Sequence, residues 1–159
     1  MNRANKDRNE DGLKDIDIGL REAFRLRKKL MSDFSHAVGD PRLTSSHYRA
    51  LLHLRDQGPE CMKGICRHIG LEAGSFTPVA DRLIEEGFAE RFGDPGDRRR
   101  VLLRLTGPGR EKAEEVRSLV RRHIGEKLSV LDGKLFDELI TAMQTIRRIN
   151  TILQESDGE

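Results

Sequence analysis

Arg98-Arg99-Arg100 puts three guanidinium groups side by side in a sequence of 159 residues. A guanidinium presents a planar fork of donors that matches phosphate oxygens and the edge of guanine, so such a run suits a polyanion. It follows Gly93-Asp94-Pro95-Gly96-Asp97, a stretch dense in turn-forming residues, which places the arginines at a loop tip. The thiols offer different chemistry. Cys61, Cys66 and His68 are spaced C-x4-C-x-H, which is no established zinc pattern and shows too few ligands for a structural site, so no metal is expected. Cys66 falls on an apolar helix face and reads as a buried thiol, whereas Cys61 stands at a helix start, where the helix dipole favours the thiolate. The five histidines make no H-x-x-x-H or H-E-x-x-H pair, and no glycine-rich phosphate loop or G-x-S-x-G elbow occurs. Catalysis and a cofactor are therefore not expected.

Composition narrows the class further. Charged residues make up 35% and hydrophobic residues 36%, with one Tyr and no Trp, so an aromatic-lined binding face is not expected. The net charge of +2 is spread evenly: residues 1–42 hold 10 Lys/Arg against 8 Asp/Glu, residues 43–106 hold 10 against 9, and residues 107–159 hold 9 against 10. Contact with a polyanion must come from local clusters. No run of about 18 apolar residues appears, so no membrane span is expected. The polar start MNRANKDRNEDG carries no apolar signal region, and reduced cysteines in a cytoplasm follow as the expectation.

These side chains need elements to position them. Residues 1–12 lack periodicity and read as a disordered terminus. Leu13, Ile16, Leu20, Phe24, Met31, Phe34 and Val38 then mark one face of a long helix, stopped by Gly39-Asp40-Pro41. Thr44 caps a second helix, with Leu43 and Tyr48 spaced as a hydrophobic staple, and Gly58-Pro59 ends it. Met62, Ile65, Cys66 and Ile69 give a short third helix that ends at Gly70. A fourth runs from Gly74 to Glu86 with Pro78 in its first turn, where proline costs little. The period then changes from 3.6 to 2 over residues 88–92 and 101–105, predicting a β-hairpin around the arginine-bearing turn. Thr106 and Asp132 open two further helices, the last with Leu135, Leu139, Ala142, Ile146, Ile149 and Leu153 in coiled-coil spacing.

The fold class expected is mainly α with a small β-hairpin: a winged helix-turn-helix over residues 43–106, flanked by dimerisation helices over 13–42 and 107–155. Two helices joined through Gly70-Leu71-Glu72 make a helix-turn-helix whose second helix can enter the DNA major groove, with the hairpin as a wing. Three stretches, LTSSHYRALLHLRDQGP (43–59), HIGLEAGSFTPVADRLIEEGFAER (68–91) and DPGDRRRVLLRLTGPGR (94–110), resemble the MarR (multiple antibiotic resistance regulator) family of winged helix-turn-helix transcription factors. Its wing pattern, Asp-Pro-x-Asp-Arg-Arg before a strand ending in Leu-Thr, is the most specific of the motifs.

The resemblance implies a homodimeric DNA-binding repressor in which the first, fifth and sixth helices of two chains interlock. It implies that Ser75, Thr77, Pro78 and Arg82 face double-stranded DNA from the recognition helix, and that the wing contributes Arg98, Arg99 and Arg100, with Arg99 entering the minor groove. Gly74 lets the backbone approach closely, and Asp97 orients an arginine. A small aromatic or phenolic effector is implied between the dimerisation helices and the winged domain, with Arg25, Lys28, His47 and Arg49 as candidate contacts. Two alternatives stand beside this reading: a thiol-based redox regulator using Cys61, and a winged-helix module that binds protein. The Thr77-Pro78 pair resembles the organic-hydroperoxide-sensing branch of the family, which uses a cysteine in its first helix; residues 13–38 contain none, so that mechanism is not expected.

Overall fold

The computed structural model describes residues 3–34, 40–72, 74–94, 96–97 and 100–156, with side chains from residue 10 onward. Among the described residues nine elements follow in order: α1 (Arg3–Leu30), α2 (Ser45–Gln57), β1 (Glu60–Cys61), α3 (Met62–Ile69), α4 (Thr77–Glu85), β2 (Ala89–Gly93), β3 (Val101–Leu105), α5 (Gly107–Leu128) and α6 (Gly133–Ser156). The chain divides into two compact units, Met1–His123 and Ile124–Glu159.

The core of the first unit is built by the winged segment and the start of α5. Tyr48, Leu51, Ile65, Leu83, Leu103 and Val116 are its largest fully buried side chains. Leu43 and Tyr48 are both buried, as the staple spacing predicts, and Phe34 packs edge-on to Tyr48 with ring centroids 6.0 Å apart. Cys66 is buried as expected, and its Sγ–H lies 3.1 Å from the carbonyl oxygens of both Leu71 and Glu72. Gly70 ends α3 at φ 64°, a left-handed conformation that glycine adopts without steric cost. Thr106 accepts the Gly109 N–H at 3.0 Å and donates to Gly87 O at 2.6 Å, so one hydroxyl caps α5 and ties it to the end of α4. Gly109 itself must lack a side chain: a Cβ there would stand 1.8 Å from Phe88 O.

Two sequence expectations are corrected and one is extended. The terminus read as disordered over 1–12 is helical from Arg3. This polar segment continues the amphipathic helix that follows it, and the exposed Asp11–Lys14 ion pair spans the junction. The same helix stops at Leu30 instead of continuing to Val38, because Asp33 takes φ 62° and turns Phe34 into the core. Val38 and the Gly39 stop lie outside the described residues. Finally, the hairpin is part of a three-stranded antiparallel sheet of order β1-β3-β2, with Glu60 opposite Leu103 and Cys61 opposite Leu102. Two residues are too few to show alternation, so β1 left no signal.

Among the described residues, apolar side chains of α1 and α6 are left exposed. Leu13, Ile16, Leu20 and Phe24 of α1 are exposed, and so are Leu135, Ile146, Ile149 and Leu153 of α6, which has no buried residue at all. No helix among the described residues is long and apolar enough to cross a membrane.

Candidate nucleic-acid interface and effector cavity

The recognition helix α4 owes its orientation to Val79, Ala80 and Leu83, which are buried, and to Phe76 just before it. The opposite side is left to solvent, and there Ser75, Thr77 and Pro78 are all exposed. Pro78 falls at the second position of the helix, where its missing N–H leaves no bond unmade. Gly74 precedes them at φ 93° with open space around it, so the backbone here is bare. Hydroxyls and bare backbone at a helix N-terminus are suited to phosphate oxygens and base edges.

Arg82 stands on the same side but is engaged. Its guanidinium contacts Glu86 at 2.8 Å and Glu85 at 3.2 Å. Arg91 of β2 reaches back to Asp81 of α4 at 2.6 Å, which ties the hairpin to the recognition helix. The β2–β3 ladder runs from Ala89–Leu105 to Gly93–Val101, and the Asp94 N–H to Arg100 O bond (2.9 Å) extends it by one step. Asp94 then accepts the Gly96 N–H at 2.9 Å and lies 3.5 Å from the Arg100 guanidinium. The base of the wing is thus fixed. Arg98 and Arg99, the other two expected DNA contacts there, lie outside the described residues.

Cys61 joins this region from the side. Its thiol pKa is lowered, chiefly by the Gly64 N–H at the start of α3 and also by the Arg100 guanidinium. Next to it, Glu60 Oε2 lies within hydrogen-bond distance of His53 Nε2, at 2.6 Å. The His53 ring stacks on His68 at 4.1 Å.

A separate cavity of about 280 Å³ opens between α1, α2 and α5 within the first unit. Phe24, Phe34 and Tyr48 supply its aromatic wall, and Arg27, Lys28 and Arg49 its charge; none of its lining residues is acidic. Burial, and then the nearby Arg27, push the Arg49 pKa down. Two of the four expected contacts, Lys28 and Arg49, are therefore on this cavity and two are not. Arg25 points elsewhere on α1 and pairs with Glu22. His47 is buried because it serves the helix cap: the Thr44 N–H donates to its Nδ1 at 2.8 Å. Arg27 was missed, although Phe24, Arg27, Lys28 and Met31 follow the i, i+3, i+4, i+7 rule of one helix face.

Residues 43–101 match the family model described as MarR family. The organic hydroperoxide resistance transcriptional regulator of Bacillus subtilis is 30% identical over 123 residues, 74% of this chain and 84% of that protein. The HTH-type transcriptional repressor NicR of Pseudomonas putida is 30% identical over 90 residues, a match spanning 57% of this chain but only 55% of NicR. Among solved structures, NadR in complex with 4-hydroxyphenylacetate superposes with a TM-score of 0.63 at 25% identity, covering 87% of this chain and 98% of that one.

Proposed function

This chain belongs to the MarR family of transcriptional regulators, and from that premise we propose that it acts in the cytoplasm as a homodimeric, sequence-specific repressor released from DNA by a small aromatic or phenolic anion. The observation that carries the DNA reading is the exposed start of α4, with Ser75, Thr77 and Pro78 on one bare turn beside a hairpin that Arg91–Asp81 fixes to the same helix. In this reading residues 43–106 read the DNA, and the helices over 13–42 and 107–155 form the dimer. The segment does no chemistry on its ligands. Selection of bound fragments from genomic DNA tests it: a recurrent, roughly palindromic site supports the reading, and unselected fragments refute it.

The effector reading rests on three cations converging on an aromatic cavity without a carboxylate among its lining residues. A single-ring carboxylate fits that volume and charge, and the 4-hydroxyphenylacetate bound by NadR is of this class. Arg49→Ala is expected to weaken binding of 4-hydroxyphenylacetate by about tenfold to a hundredfold, the usual loss of one charge-assisted bond. DNA affinity without effector should stay unchanged. Calorimetry with equal affinity for the two proteins would remove the cavity from consideration.

A second reading has one observation behind it: the lowered pKa of the Cys61 thiol beside Arg100 at the wing base. A thiolate at that place reacts with oxidants sooner than the buried Cys66. Under this reading mild peroxide treatment lowers DNA affinity in the wild type and not in Cys61→Ser. Equal DNA affinity before and after oxidation eliminates it.

A further inference from the structure

Glu86, just past the end of α4, is a carboxylate with only 13% of its side chain exposed and a guanidinium on each oxygen. Oε1 lies 2.8 Å from the Arg82 guanidinium, and Oε2 accepts from Arg42 at 2.7 Å. Arg42 is in turn held by Asp40, through Nε and Nη2 at 3.1 Å each, and Asp40 lies 3.7 Å from Lys112 of α5. Glu85 supplies Arg82 with its second carboxylate at 3.2 Å. Alternating charges therefore run from α5 through the Asp40–Arg42 segment to the recognition helix, and Arg82 is their last member.

The placement of Arg82 matters because it follows Pro78 by four residues and shares its side of α4. From spacing alone it belongs with the DNA contacts. Yet a cation already matched by two carboxylates gains little from a phosphate, since it must leave both before it can release a counterion from the DNA. Its guanidinium is also near enough to His47 to be, after burial, the second cause of the lowered His47 pKa.

We propose that Glu86 is a positioning residue that limits DNA affinity by holding Arg82 off the phosphates, so that recognition rests on the hydroxyls of Ser75 and Thr77 and on the wing. The assignment rests on the DNA-binding reading above. Two effects must be kept apart in its test. Removing Glu86 frees Arg82, but it also deletes a negative charge near the DNA, and only the first effect needs Arg82.

The experiment is a salt titration of duplex binding by fluorescence anisotropy for the wild type, Glu86→Gln, Arg82→Gln and the double variant, each with the selected duplex and a scrambled one. Glu86→Gln should bind both duplexes about threefold to tenfold more tightly at low salt and steepen the plot of log K against log salt by about 0.9, one phosphate contact. Arg82→Gln alone should leave the slope unchanged, and the gain should vanish in the double variant. A slope that falls by about one unit in Arg82→Gln would mean that Arg82 already touches phosphate, and overturns the assignment. So does a gain that persists in the double variant, which would belong to the lost carboxylate charge. Should thermal melting show Glu86→Gln unfolded, Glu85→Gln replaces it, since that side chain is 64% exposed and leaves Arg42 untouched. It should give a smaller gain of the same sign, and no gain overturns the assignment. A wild type that binds no duplex defeats the DNA reading itself, whereas unchanged variants of a wild type that does bind defeat only the role of Glu86.

Discussion

Ile146→Glu with Ile149→Glu should convert the protein to a monomer at micromolar concentration and abolish binding to its operator, with the winged segment still folded. The two side chains are 42% and 48% exposed in the single chain, on a stripe that continues through Leu135 and Leu153. Burying each such side chain stabilises an association by roughly 1.5–3 kcal/mol. A carboxylate placed in that contact without a partner reverses the sign, and in a twofold dimer every substitution counts twice. DNA binding falls with the dimer because a single recognition helix reads one half-site, whereas two held about 34–36 Å apart read both. Light scattering and anisotropy on the same samples check the two losses together. A double variant that remains dimeric would place the interface elsewhere. A monomer with full operator affinity would refute the need for two half-sites. Melting of the winged core should be little changed, since α6 contributes no buried residue within the chain.

That stripe was legible in the sequence because Leu135, Leu139, Ile146, Ile149 and Leu153 keep a helical period over most of α6. The same logic located α2, α3, α4 and the hairpin. It failed where structure depends on a single backbone angle or on a partner distant in sequence. Phe34 sits in phase with Phe24 and Met31, so the period alone carries the first helix past Asp33, whose positive φ breaks it. β1 exists only because β3 lies beside it. The cavity was half legible for a related reason. Lys28 and Arg49 reach it, but Arg25 is out of phase with the Phe24–Met31 face, and the cap at Thr44 draws His47 inward. Arg82 illustrates the limit at the DNA site: spacing offered both a DNA contact and an ion pair with Asp81 or Glu85, and only the structure adds Glu86 and shows the pairing with Glu85 made.

Arg99→Ala is the second substitution with a large expected effect. The β2–β3 ladder ends in the Asp94–Arg100 bond, and the chain between those residues carries Arg98 and Arg99. A guanidinium entering the minor groove gains from its negative potential and senses width more than base identity. The variant should therefore lose affinity for operator and scrambled DNA in similar proportion, about tenfold or more at low salt, with the salt slope reduced by about one. Thr77→Ala should instead change which sequence is preferred. Dimerisation and thermal stability should survive Arg99→Ala, since none of the described residues of the wing turn belongs to the core. A folded Arg99→Ala protein with unchanged affinity and slope would exclude the wing from the DNA contact.

The central claim, that this chain reads DNA sequence through α4 and the wing, meets its most direct test in one competition measurement. A labelled duplex selected from the genome is bound by the wild-type protein at several salt concentrations and challenged with a scrambled duplex of equal length. The account predicts that log K falls linearly with log salt, by about 0.9 for each phosphate neutralised, and that the selected duplex is preferred by about a thousandfold or more. Equal affinity for the two duplexes, or binding indifferent to salt, would contradict it.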